Sequence, residues 1–394
     1  MWPDRRLLDL LQIEHPIVQA PMAGAMDWEL AAAVSQAGGL GSLPCAMLNP
    51  KQVLEQVEKI RGRTDKPINI NFFCHQPPKA DNAREAAWRD RLASYYRELG
   101  LDPHAAVNAP SRAPFNAEMC EILVELKPKV ASFHFGLPET PLVARVKAAG
   151  CLVFSSATTA AEARWLAERG ADAIIAQGYE AGGHRGMFLT EDLAAQVGTF
   201  ALVPQVVDAV TVPVIAAGGI TDARGIAAAF ALGAAGVQMG TAFLFCPEAK
   251  ISAPHRAAFK SARDDATVLT NLMTGRPARG VYNRLMRDLG PISDIAPQFP
   301  LAAAAVAPLR LQCRGARFRR LFTLVVRASG GARSGNAGAR AAGKTLRRGT
   351  PASQPARCRR GLNRCRESGF LVKGSGASSR SRVSIAQRRN AMCP

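Results

Sequence analysis

A (β/α)8 barrel is the fold class this sequence predicts, and three features predict it. Short β-like runs alternate with amphipathic helical runs in units of roughly 20–40 residues, the pattern of a parallel α/β sheet. Eight such strands are present, enough to close a barrel. The last two, Pro213-Val-Ile-Ala-Ala-Gly-Gly-Ile220 and Gly236-Val-Gln-Met-Gly-Thr241, end abruptly in small residues. In such barrels a phosphate site commonly follows strands seven and eight, where small residues let an anion reach backbone N–H groups. Either glycine pair alone could simply make a tight turn. Two stripped ends one βαβ unit apart carry the stronger reading. An open doubly wound sheet is the alternative, but no strand is followed by G-x-G-x-x-G. Gly39-Leu-Gly41 has Pro44 where the third glycine belongs.

The elements follow in order. Ile17-Val-Gln-Ala reads as strand one and Trp28 to Ala37 as its helix. Leu40 to Leu43 is strand two, and Lys51 to Arg61 a helix with apolar residues at Val53, Val57 and Ile60. Ile68 to Phe73 is strand three and Val130 to Phe135 strand four, followed by a helix through Val143 and Val146 to Gly150. Leu152 to Ser155 is strand five, Ala160 to Glu168 its helix, and Ala171 to Ala176 strand six. Thr221-Asp222 can cap a helix from Ala223 to Leu232 between the last two strands. An insertion of about 74–129 separates strands three and four. Its charged helix, Ala83 to Leu99 with Trp88, Tyr95 and Tyr96, sits where a lid could form, although an aromatic stripe more often packs on a scaffold.

The formal net charge of +19 is confined to one end of the chain. From Leu311 on there are 18 Arg, 2 Lys and one acidic residue, Glu367, whereas residues 1–310 hold 30 basic and 30 acidic residues. The division is thus a neutral barrel domain over 1–310 and an Arg-rich tail over 311–394. The tail has two readings. It is a disordered basic arm for nucleic acid, or a shifted reading frame of a GC-rich gene, whose out-of-frame codons give Arg, Gly, Ala and Ser. The second is preferred, because helical periodicity stops mid-pattern after Arg310. Nine scattered cysteines include no CxxC, so zinc and redox-pair chemistry have little support, and no metal is expected. No signal-peptide core or membrane-length apolar run is seen, and a cytoplasmic setting is the expectation.

Candidate chemistry lies at the strand ends. Gln19-Ala-Pro-Met-Ala-Gly24 offers small residues beside Pro21 and Met22, against which a flat ring could lie. Asn71 falls at the carboxyl end of strand three, as a heterocycle partner or as a satisfied barrel amide. His134 sits near the end of strand four, where a lone histidine is usually structural. Ser155-Ser-Ala-Thr-Thr159 offers hydroxyls or a helix cap. Gln177-Gly-Tyr-Glu-Ala-Gly-Gly-His-Arg-Gly186 reads as a flexible Gly-rich loop bearing Gln177, Glu180, His184 and Arg185 at the active face. His184 can act there as acid, base or hydrogen-bond donor.

Together, Gln19-Ala-Pro-Met-Ala-Gly24, Asn71-Phe-Phe, His134-Phe-Gly136, Ser156-Ala-Thr-Thr159, Glu180-Ala-Gly-Gly-His-Arg-Gly186, Ala216-Ala-Gly-Gly219 and Met239-Gly-Thr-Ala-Phe243 resemble the nitronate monooxygenase family, formerly 2-nitropropane dioxygenase. The resemblance runs from about Leu7 to Arg310. It implies a TIM barrel flavoprotein with FMN, an oxidoreductase converting alkyl nitronates and O2 to carbonyl compounds and nitrite. It places Pro21 and Met22 along the flavin and Asn71 and Gln177 at its polar edges. Gly182, Gly183, Gly218, Gly219, Gly240 and Thr241 hold its phosphate, and His184 is the active-site histidine. The family's closing Phe-Ser-x-Leu-Trp-x-Gly-Gln-like segment is absent after Arg310. Two other readings stand beside this one: an FMN-dependent enoyl reductase of fatty-acid synthesis, and nucleic-acid binding through the basic tail.

Overall fold

A computed structural model describes residues 2–105, 112–263 and 265–312. Eight parallel strands share one sheet. They are β1 (Ile17–Gln19), β2 (Gly41–Pro44), β3 (Ile68–Phe73), β4 (Val130–His134), β5 (Leu152–Ala157) and β6 (Ala173–Gln177). After β7 (Gly183–His184), which belongs to a second sheet, come β8 (Val214–Ala217) and β9 (Gly236–Met239). The parallel pairings run β2 through β9 in chain order and return from β9 to β1. The seam between β1 and β2 closes through Leu40: Gln19 N donates to Leu40 O and Leu40 N to Ile17 O, both at 2.9 Å. The barrel expected from the alternation is present.

Side chains alternate across each strand, so one set faces out and the other in. The outward set, including Leu43, Ile70, Val153, Ile174 and Val237, packs under the helices. The inward set, including Val18, Val130, Phe154, Ile175 and Ile215, fills the barrel's amino end. There α1 (Arg6–Leu11) acts as a plug, with Leu7 and Leu11 fully buried. The plug accounts for Gly236, since a Cβ at that position would stand 2.4 Å from Leu7 Cδ2 and 2.9 Å from Pro16 O.

The outer helices are α2 (Trp28–Gln36), α3 (Pro50–Arg61), α5 (Ala117–Leu126), α6 (Thr140–Ala148), α7 (Ala160–Glu168), α8 (Thr199–Ala209) and α9 (Ala223–Ala231). Asp27, Asn116, Thr159 and Asp222 each accept a backbone N–H at a helix start, and Asn49 with Gln52 forms a capping box on α3. Each cap is worth about 1 kcal/mol and fixes where a loop hands the chain to a helix. Helix α5 precedes β4 and packs between α3 and α6, so the second half of the stretch 74–129 is barrel rather than insertion.

The insertion proper carries α4 (Asn82–Glu98), close to the predicted helix. Its aromatic stripe is spent on packing. Trp88, Leu92, Tyr95 and Tyr96 are buried against α11 (Arg284–Leu289) and α12 (Ala302–Gln312). Tyr96 Oη donates to Ala305 O at 2.7 Å, and Arg284 reaches Glu98 at 2.7 Å. The chain beyond β9 also forms α10 (Ala253–Ser261), whose Phe259 packs with Leu244, Ala249 and Val281, and an antiparallel hairpin of β10 (Thr267–Thr270) and β11 (Ala278–Val281). β11 also pairs with β7, which joins this C-terminal layer to the top of the barrel. The boundary expected at Arg310 falls inside α12. Residues 313–394, and the two readings placed on the tail, lie outside the described residues.

Candidate active site

The barrel interior changes character along its axis. The amino end is aliphatic, but the carboxyl half is polar: Asn69 and Asn71 on β3, Ser132 and His134 on β4, Ser156 on β5, Gln177 on β6 and Gln238 on β9. Register places Gln238 beside Val18 and Ala217, both of the inward set. Strand β5 runs to Ala157 and β6 to Gln177, beyond the predicted ends, so Ser156 and Gln177 are strand residues facing this interior. Buried polar groups need partners. Asn71 Nδ2 donates to Ser132 O at 3.2 Å and Ser132 Oγ at 2.9 Å, leaving Oδ1 as the acceptor it can offer. Two carbonyl oxygens in this ring, Asn69 Oδ1 and Gln238 Oε1, are buried with no partner among the described residues.

Strand register also gathers the glycines. Gln177 lies beside Ala217, Ala217 beside Gln238, and Met239 beside Gln19. The residues just beyond β8, β9 and β1 therefore form one wall, Gly218 and Gly219, Gly240 and Thr241, and half-buried Pro21 and Met22, with the loop that carries Gly182 and Gly183 reaching it through Ala181, which lies beside Gly218. Gly218 and Gly219 have φ of 122° and 69°. A Cβ on Gly218 would meet Thr199 Oγ1 at 2.7 Å and Ala181 N at 3.0 Å, so packing alone requires that glycine. At Gly183, φ 75°, an added Cβ meets nothing within 4 Å. At Gly240 it would meet Ala20 Cβ at 3.5 Å and Met22 Sδ at 3.6 Å, an ordinary contact. Thr241 opens the short 3₁₀ turn Thr241–Phe245. The N–H groups of Gly218, Gly219, Gly240 and Thr241 have no hydrogen-bond acceptor among the described residues.

The segment 178–186, read from its glycines as a flexible loop, is pinned at several points. Fully buried Arg185 donates to Gln177 O (2.8 Å), Gly178 O (2.7 Å) and Gln196 Oε1 (2.8 Å). Gln177 Oε1 accepts Gly186 N at 2.7 Å, and its Nε2 donates to His184 O at 3.0 Å. His134 Nε2 lies 3.2 Å from the same carbonyl, which can only accept, so that nitrogen carries the proton. Ser156 Oγ, 2.6 Å from His134 Nδ1, then donates to the other nitrogen. His134 is thus a structural tie, as a lone strand histidine usually is. Glu180 is likewise used locally, accepting Thr199 N and Oγ1 at 2.7 Å each.

His184 sits in β7 opposite Ala278, with its Nε2 2.9 Å from Thr274 Oγ1. Three phenylalanines surround the ring edge-on: Phe299 at 5.2 Å, Phe135 at 6.0 Å and Phe73 at 6.1 Å between centroids. Two guanidinium groups cover this box, Arg276 4.0 Å over Phe135 and Arg112 5.9 Å over Phe299. Neither belongs to an ion pair within 4.0 Å among the described residues. Burial, reinforced by Arg112, His134, Arg276 and His75, holds His184 well below the ordinary histidine pKa. Burial, then Arg276 and Arg112, brings His75 down to about 4. Burial, then Arg276, brings His134 to about 3. At neutral pH the box therefore holds neutral imidazoles under positive guanidinium groups, whose pKa values burial lowers only to about 10. That combination suits an anionic ligand.

All ten sequence-predicted cofactor residues and His184 lie at the barrel's carboxyl end. They fall into two groups: the glycine wall with Pro21 and Met22, and Asn71, Gln177 and His184 around the interior. Sequence reasoning missed His75, Arg112, Thr274, Arg276 and Phe299. The Gly275 and Pro277 turn signals between two β-like runs could have marked the hairpin that carries Thr274 and Arg276.

A family profile described as nitronate monooxygenase matches residues 4–387. This chain belongs to the nitronate monooxygenase family. It is 44% identical over 307 residues to a nitronate monooxygenase of Pseudomonas aeruginosa, covering 77% of this chain and 88% of that protein. It is 45% identical over 281 residues to one of Paraburkholderia phytofirmans, covering 71% and 76%. Among solved structures, a nitroalkane oxidase from Streptomyces ansochromogenes superposes with TM-score 0.74 at 37% identity, covering 82% of this chain and 91% of that one. FabK of Thermotoga maritima superposes with TM-score 0.61 at 31% identity, covering 82% and 89%. The chain is thus a member of an oxidoreductase enzyme family. Among the described residues no helix is long and apolar enough to cross a membrane.

Proposed function

We propose that this chain holds FMN across the carboxyl ends of β6, β8, β9 and β1, and oxidises alkyl nitronates with O2 to carbonyl compounds and nitrite. The observation that carries the reading is a glycine wall with unpaired amide donors next to a buried, neutral histidine in a positive, apolar box. The residues fit the cofactor. The N–H groups of Gly218, Gly219, Gly240 and Thr241 suit a phosphate, with Gly182 and Gly183 bordering the same wall. Pro21 and Met22 offer an apolar edge to a flat ring. Asn71 and Gln177 offer amide groups, and Gln238 Oε1 is a buried acceptor still lacking a donor. One phosphate wall and no dinucleotide fingerprint favour FMN over FAD.

When bound, FMN supplies the redox chemistry. The chain's own residues bind and orient the substrate. Arg112 and Arg276 attract an anionic nitronate. His184 donates a hydrogen bond to it, or takes the proton from the α-carbon of a neutral nitroalkane. Phe73, Phe135 and Phe299 keep water from the ring. Heat release of the cofactor, chromatography, and an anaerobic nitronate titration followed by absorption test the reading. Recovery of FAD, or of no flavin, would overturn it.

The likeness to FabK keeps enoyl reduction as the second reading. NAD(P)H oxidation with an enoyl thioester, without nitronate turnover, would favour it. Nucleic-acid binding rests on the tail alone, and the balanced charge of residues 1–310 gives it no support in the barrel.

A further inference from the structure

We propose that Thr274 is a positioning residue for His184: its hydroxyl holds the imidazole through Nε2 and leaves Nδ1 as the nitrogen that meets substrate. The proposal rests on the reading of His184 as the group that meets nitroalkane or nitronate. Two independent devices from one hairpin converge on this histidine. The β11–β7 ladder, with Ala278 opposite His184, fixes its backbone. The turn between β10 and β11 brings Thr274 Oγ1 to 2.9 Å from Nε2 and thereby fixes the ring. Thr274 is 5% exposed, so water does not readily replace it. The three phenylalanines approach the ring at 77–83° and offer no hydrogen-bonding group of their own.

A hydroxyl suits this position because it can both donate and accept. When Nδ1 carries the proton, Thr274 donates to Nε2. When Nδ1 is the base, Nε2–H donates to Thr274. Once His184 has taken a proton at Nδ1, the imidazolium's Nε2–H already has its acceptor. The groups facing His184 from the surrounding elements are His75, His134, Arg112 and Arg276, all neutral or positive, so none of them supplies a negative charge to offset an imidazolium. Thr274 therefore matters most in the step that makes an imidazolium. It matters less where a preformed nitronate only needs a hydrogen bond.

The test compares Thr274→Val and Thr274→Ser in the FMN-loaded protein. Thr274→Val should lower kcat on a neutral nitroalkane on the order of 10- to 100-fold, the size of a hydrogen bond to a charged group. Its effect on the matching nitronate should be several-fold smaller, and Thr274→Ser should recover most of the loss. Losing the acceptor disfavours the imidazolium, so the acidic limb of the nitroalkane profile should move to lower pH. A measurement without turnover separates this idea from the functional reading. In ¹⁵N-histidine-labelled protein, the His184 ring signals, assigned through His184→Gln, should change tautomer balance in Thr274→Val. Equal losses on both substrates without rescue by serine, or ring signals unmoved by Thr274→Val, would overturn the proposal. Shifted ring signals in a protein inactive on both substrates would support the positioning and instead count against the proposed reaction.

Discussion

Gly218 and Gly240 stand at equivalent places, one residue beyond β8 and β9, yet they predict opposite outcomes on substitution. At Gly218, φ is 122° and a new Cβ would lie 2.7 Å from Thr199 Oγ1 and 3.0 Å from Ala181 N. Left-handed strain of about 1–2 kcal/mol and overpacking of about 1–3 kcal/mol should add up in Gly218→Ala. At about 2–4 °C per kcal/mol for a domain of this size, melting should fall by roughly 4–20 °C. At Gly240, φ is −112°, and the nearest atoms to a new Cβ are Ala20 Cβ at 3.5 Å and Met22 Sδ at 3.6 Å. Gly240→Ala should therefore change the stability of the flavin-free protein by no more than about 0.5 kcal/mol. If a phosphate approaches the Gly240 N–H, the methyl crowds it. Losing one charge-assisted hydrogen bond then weakens FMN binding by roughly 10- to 100-fold, and Gly240→Val should purify colourless. Melting of the flavin-free proteins and FMN titration by fluorescence quenching read the two effects separately. A Gly240→Ala protein with wild-type FMN affinity would put the phosphate elsewhere. A Gly218→Ala protein melting with the wild type would refute the packing argument.

His184→Ala should lose activity by roughly 10²-fold or more while keeping its flavin, measured on a nitroalkane and on its nitronate. Near-normal turnover on both would make the histidine structural. Trp88→Ala should destabilise the protein by about 3–5 kcal/mol, because the indole is 1% exposed between α4 and α12; a denaturant midpoint within error of wild type would contradict that packing. His75 and His134 have folded pKa values below the ordinary 6.5, so the unfolded chain binds more protons once pH drops below about 6.5. Stability from these groups is complete above that pH and is lost as pH falls towards about 4 for His75 and about 3 for His134. Thermal melts from pH 7 to 4 should show a shallower slope in His75→Gln than in wild type, and equal slopes would count against a buried neutral His75.

The barrel was legible in the sequence because its signals are local. Strand and helix periods, the caps at Thr159 and Asp222, and the stripped ends at Gly218-Gly219 and Gly240-Thr241 each lie within a few residues of what they specify. Pro21, Met22, Asn71, Gln177 and His184 lie near or beyond the carboxyl ends of strands, so order along the chain alone could place them on that face. The box around His184 was not legible. Thr274, Arg276 and Phe299 come from a layer more than 80 residues further along, and Arg112 from the stretch before α5. The β11–β7 pairing, with bonds from Arg185 N to Pro277 O and from Arg276 to Met187 O, brings Thr274 and Arg276 over the histidine, and the pairing spans just two residues of the segment, too few to leave a periodic trace. The same holds for the aromatic stripe of α4. Its spacing specified a buried helix face, but its partners, α11 and α12, are set by the tertiary fold because an apolar face has no direction of its own. The glycine-rich segment 178–186 shows the reverse limit. Composition alone marked it as flexible, whereas one fully buried guanidinium, Arg185, and two side-chain ties to the His184 carbonyl hold it in place, and those bonds exist only once the barrel has closed.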